Sequence, residues 1–117
     1  MLLRASALSQ NRDYDLNAVT GAVVSDAGVP HGRRLVLFAE AVLGEDDAAL
    51  AGARAALMAA LGPAALVDAA GVVGLFNAID RVADATGIPL EVEKAEASAD
   101  FRAALDIDRF AVAARSR

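Results

Sequence analysis

The sequence predicts an all-α domain, and three observations carry that prediction. Apolar residues recur at helical spacing along most of the chain. Glycines at 28, 44, 62 and 87 punctuate the apolar stretches where helices stop. The composition is alanine-rich, tolerates glycine and is only 4 % aromatic, which suits helices packed closely. The expected architecture is one compact domain over residues 1–117, with four main helices near 15–27, 30–43, 46–61 and 63–86 and a short C-terminal one.

In order, residues 1–12 have no clear periodicity, and 1–8 are too short and polar for a secretory signal. Asp13 or Asp15 can cap the first helix. Its apolar positions Leu16, Val19, Val23 and Ala27 share one face. Pro30 can open the second helix, where Leu35, Phe38, Ala39 and Val42 form one face. Val36, Leu37 and Leu43 leave little polar surface elsewhere, so both sides are expected to pack. Glu45, Asp46 and Asp47 suit the positive end of the third helix, whose inward residues are Leu50, Ala53, Leu57 and Leu61.

The fourth helix carries its own start and stop signals. Pro63 suits a first helical turn, Gly87 a left-handed stop, and Pro89 bars resumption. Its first two-thirds are apolar nearly all round, which predicts burial on several sides. Gly71 and Gly74 each cost roughly 1 kcal/mol in a helix interior, so a neighbouring helix is expected to approach closely there. Asn77, Asp80, Arg81 and Asp84 form one polar stripe. Residues 88–97 read as extended or irregular. Ser98 can cap the last helix, which holds Phe101 and Leu105, and the tail IDRFAVAARSR is weakly helical.

A chain of 117 residues fits one domain. The net charge of −5, the pI near 4.7 and the scattered arginines argue against a nucleic-acid partner. There is no cysteine, which excludes disulfides, thiol catalysis and thiolate metal sites. No cluster has zinc, iron or calcium spacing, so no cofactor is expected. No apolar run approaches the roughly 18 residues of a membrane span. A soluble, cytoplasmic domain without a membrane partner is expected.

Two stretches resemble one family. RRLVLFAEAVLG, a polar helix, then LVDAAGVVGLFNAIDRVADATGIPLE resembles the C-terminal half of the alkylhydroperoxidase D / carboxymuconolactone decarboxylase-like domain. Phe76-Asn77, Arg81-Val82-Ala83-Asp84 and Gly87-Ile88-Pro89-Leu90 are its most specific part. Upstream, NRDYDLNAVTGAVVSDAGVP resembles the segment bearing the family's chemistry. Members often read there as cysteine, any residue, tyrosine, glutamate or cysteine, and a histidine four residues on. Here Arg12 or Asp13 replaces the first cysteine, Tyr14 is kept, Asp15 replaces the glutamate or second cysteine, and Val19 replaces the histidine. The resemblance spans roughly residues 11–91. It implies an all-α fold assembled as dimers, trimers or hexamers. For intact members it implies thiol-based peroxide or disulfide chemistry, or a decarboxylase-like acid–base site. Two-cysteine chemistry needs one thiolate to attack and one to resolve, and this chain has neither. Without the histidine, a proton shuttle near neutral pH must come from elsewhere.

The candidate site residues each have two readings. Tyr14 and Asp15 can be a remnant acid–base group, or a core cover and a helix cap. Glu40, interrupting LVLFAEAVL, is a base if buried and a solvated or arginine-paired residue otherwise. Arg81 can bind a carboxylate through its fork, or pair with Asp84, Glu40 or Asp80 of a neighbouring chain. Asn77 can join such a binding site or hydrogen-bond a loop or cap. His31, the sole histidine, reads as a turn residue. The leading expectation is a degenerate family member that keeps the helical oligomeric fold, lacks thiol peroxidase activity, and serves binding or assembly. Its partners would be itself and possible small-carboxylate or protein ligands. The alternative is a cysteine-independent decarboxylase- or isomerase-like enzyme using Tyr14, Asp15, Glu40 and Arg81 on a small carboxylate.

Overall fold

The structure is a computed structural model that describes Ser9 and residues 14–18, 20 and 25–108. Those residues are all-helical, with no strand among them. A 3-10 turn at Leu16–Ala18 is followed by three α-helices: α1 (Gly32–Leu43), α2 (Asp47–Thr86) and α3 (Val92–Ala104).

Residues 15–27 are not one helix. A helix that long would hold its ends about 18 Å apart, yet the Asp15 backbone N–H donates to the Ala27 carbonyl at 3.1 Å. Two local preferences explain the difference. Asp15 Oδ1 accepts from the backbone N–H and side-chain amide of Asn17, an Asx turn that competes with helix. Ala27 and Gly28 then take φ of 56° and 78°, closed by Val29 N–H on the Asp26 carbonyl at 2.8 Å, a turn with both central residues left-handed. Val19 and Val23, expected on that helix, lie outside the described residues, as do 1–8 and the 109–117 tail.

A second turn sets the start of α1 two residues later than the proline suggests. Pro30 and His31 form its corner, with His31 at φ 60° and Gly32 N–H on the Val29 carbonyl at 2.9 Å. Pro30 supplies the fixed φ such a corner favours. Asp26 Oδ1 then accepts from Arg33 N–H at 2.9 Å, covering one of the helix's open donors. A side chain at Gly32 would strike the Asp26 carbonyl.

α1 and the first half of α2 form an antiparallel hairpin joined through Gly44, Glu45 and Asp46. Asp46 is the N-cap of α2, accepting from Ala48 and Ala49 N–H at 2.9 and 3.0 Å. Phe38 of α1 and Leu57 of α2 are the buried pair at its centre, flanked by half-buried Leu35, Ala39, Leu50 and Ala53. The expected packing of both sides of α1 is not met: Leu37 and Leu43 are exposed, as are Val42 and Leu61 of the expected inner faces.

α2 breaks at Gly62, which takes φ 84° and ψ 176° before Pro63. Proline disfavours helical geometry in its predecessor, and glycine accepts an alternative open to no other residue. The helix resumes and ends at Gly87, φ 65°, whose N–H reaches the Ala83 carbonyl. This second half is not buried on several sides. Leu66, Ala69, Val73 and Asn77 form a half-covered stripe, with Ala65 and Ala83 also half-buried beside it. Asp80 and Asp84 continue that stripe by helical spacing. Val67, Val72, Leu75, Ile79 and Val82 point away from it and are exposed, Val67 to 70 % and Leu75 to 59 %. The helix is therefore most apolar on the side turned from its own chain. Among the described residues nothing lies within 4 Å of a side chain placed at Gly71 or Gly74, so no described helix crosses there. By length and composition α2 is also apolar enough to cross a membrane. The unbroken apolar runs are shorter than a span because Asp68 divides the stretch between Arg54 and Asp80.

α3 starts at Val92, inside the stretch expected to be irregular. A Glu91–Lys94 ion pair at 2.7 Å bridges its first turn, and alanines at 95, 97 and 99 favour helix. Ser98 does not cap it. It sits inside the helix, buried, with Oγ donating to the Lys94 carbonyl at 2.6 Å.

Candidate functional site

The family-like motif segment and the end of α3 enclose an open cavity of about 490 Å³. Tyr14, Asp15, Leu16 and Asn17 line one side, Gly28 the floor of the turn, and Phe101, Ala104 and Leu105 the other. The Asx turn places Tyr14 and Asp15 together here, so two of the candidate residues share one cavity. Asp15 is exposed and its Oδ1 is already engaged by Asn17 at 2.9 and 3.0 Å. Tyr14 is half-buried, as a ring covering apolar neighbours would be.

The other candidates sit elsewhere. Glu40 is exposed on α1 and does not line this cavity. Arg81 is exposed on α2, where its Nε donates to Asn77 Oδ1 at 3.4 Å along the same helix. That contact takes the place of the partners expected for each: Asn77 reaches no loop or cap, and Arg81 reaches neither Asp84 nor Glu40. His31 is a half-buried turn residue with Nδ1 3.4 Å from Arg34 Nη1. Arg12, Asp13 and Val19, which the resemblance sets at cysteine and histidine positions, lie outside the described residues.

The cavity's chemistry is limited by its lining. Among the described residues Asp15 is the one carboxylate that lines it, and no cationic side chain does. Asp15 can accept hydrogen bonds from a ligand, and Tyr14 is the other group of the described lining able to give or take a proton. Among the described residues, no group of three His, Cys, Asp or Glu side chains is placed to hold a metal ion.

A second feature was not singled out in the sequence. The α1–α2 hairpin carries an apolar groove of about 290 Å³, floored by Ala49, Gly52, Ala53 and Ala56 and walled by Leu37 and Ala41, with Arg34 at one end. The alanine–glycine spacing of α2 was the available signal. Arg34 was read only as one of several scattered cations, because its place beside Ala56 depends on the hairpin register. Compared with family models, curated proteins and solved structures, the chain has no match.

Proposed function

We propose that this chain is a cysteine-free protein of the alkylhydroperoxidase D / carboxymuconolactone decarboxylase-like type, working in the cytoplasm as a homo-oligomeric binding or assembly module. The observation that carries the reading is the outward apolar face of α2. Val67, Val72, Leu75, Ile79 and Val82 form it, over about 24 Å of helix. Among covers for this face, a second copy fits better than lipid. Asp68 interrupts the apolar stretch near its middle, and Asp80, Arg81 and Asp84 follow, each costly in a bilayer core.

Light scattering tests the reading directly. The protein is expected to have at least twice the mass of one chain. A monomer at millimolar concentration with a cooperative fold would overturn it, and so would flotation with neutral lipid vesicles. Purified metal-free protein is expected to show no turnover of an alkyl hydroperoxide, because no thiol exists to attack or resolve. The enzyme alternative is less supported, since Glu40 and Arg81 do not join Tyr14 and Asp15 at the cavity.

A further inference from the structure

We propose that the groove between α1 and the first half of α2 is filled by the same hairpin of a second copy, running antiparallel, so that Arg34 of each meets Glu45 and Asp47 of the other. This rests on the homo-oligomer reading and names a second contact surface, separate from the outward face of α2.

Shape is the first argument. The groove floor has only alanines and Gly52, and nothing lies within 4 Å of a side chain placed at Gly52. Such a floor lets another helix approach closely. Leu37, which walls the groove, is apolar and exposed. Filling the groove by a like hairpin makes an antiparallel four-helix arrangement, a common way to bury two such faces.

Charge selects the occupant. Arg34 marks one end of the groove, and the Glu45-Asp46-Asp47 turn stands at the opposite, closed end of the hairpin. The hairpin fixes this polarity, because Arg34 lies at its open end and the acidic turn closes the other. Asp46 is held by its cap bonds, whereas Glu45 and Asp47 are exposed. Among the described residues no carboxylate reaches Arg34 at salt-bridge distance; its Nη1 lies beside His31. A two-fold interface is self-complementary, so the contact of residue i with j recurs as j with i. Antiparallel docking therefore sets basic end on acidic end twice. Parallel docking would set like on like twice. The hairpin is its own electrostatic complement in one orientation only.

The test is a charge swap read by light scattering, with circular dichroism confirming retained helix. Arg34→Glu is expected to lower the assembly mass at least twofold, as is Glu45→Arg with Asp47→Arg. Each variant alone opposes like charges. Mixed together they present matched ends at both contacts, and the mixture is expected to regain the wild-type mass. Should Arg34→Glu unfold, Arg34→Gln takes its place, with a smaller fall in mass at low salt. If wild type is oligomeric and the Arg34 variants keep its mass, this inference fails and the oligomer reading stands. If single variants dissociate but the mixture does not reassemble, the proposed pairing is wrong. A monomeric wild type overturns both.

Discussion

Gly62 and Ala27 both adopt backbone geometry that favours glycine, and only one of them is glycine. Gly62 at φ 84°, ψ 176° has open space where a side chain would go, so Gly62→Ala meets no neighbour and its cost is purely conformational. That cost is expected to be about 1–3 kcal/mol, seen as a lower Tm with the helical signal little changed. Ala27 sits at φ 56°, a left-handed position where a Cβ is unfavourable. Ala27→Gly is expected to stabilise the fold by about 0.5–1 kcal/mol, measured by urea unfolding; a loss of stability would show that the Ala27 methyl contributes more by packing than it costs in strain. Leu57 is fully buried in the hairpin. Leu57→Ala is expected to cost about 2–5 kcal/mol. That is a large share of the stability of a small domain, and the variant should unfold at far lower urea.

At the scale of elements, the second half of α2 offers the clearest test. Leu75 and Ile79 lie one turn apart on its outward face and are both exposed within the chain. Replacing both by lysine removes apolar surface and adds charge where the reading places a neighbouring copy. Helical content is expected to hold while the mass falls, because neither side chain supports its own chain. An unchanged mass would remove the outward face from the interface. This element also shows what the sequence made legible and what it did not. Its stops at Gly62–Pro63 and Gly87 were readable, since each depends on local backbone preference. So were the acidic start of α2 at Asp46 and Asp47 and the inward Leu57. Its burial was not readable, because an apolar helix looks alike whether its own chain or another covers it. The segment before α1 was misread for a different reason: Asp15, Asn17 and the Ala27–Gly28 corner satisfy the backbone through local turns, and the apolar spacing gave no sign of them. Of the site candidates, Tyr14 and Asp15 line the same cavity because they are sequence neighbours held by the Asp15–Asn17 turn. Glu40 and Arg81 depended on helix rotation and long-range placement.

For the molecule as a whole, the sparse interior is the dominant fact. Among the described residues the buried apolar side chains are Ala18, Phe38 and Leu57, while the outward face of α2 and the hairpin rim stay open. At about 25 cal/mol per Å², so few buried groups offset little of the ordering entropy of helices this long. On the homo-oligomer reading proposed above, association supplies the remaining burial, and folding is expected to be coupled to it. Coupling has a signature that a monomer lacks. When folded oligomer is in equilibrium with unfolded chains, mass action makes stability depend on protein concentration. For a dimer, each tenfold increase adds about 1.4 kcal/mol per dimer, or about 0.7 kcal/mol per chain. A domain near this size shifts its Tm by about 4–8 °C per kcal/mol. The Tm is therefore expected to rise by about 3–5 °C for each tenfold increase in concentration. Calorimetry from about 10 μM to 1 mM spans two such steps. The Leu75→Lys, Ile79→Lys variant should melt lower at every concentration and approach wild type only where association is restored. A wild-type Tm that stays flat over this range, with one reversible transition, would mean that the single chain already holds its full stability, and the open faces would then need another explanation than a second copy.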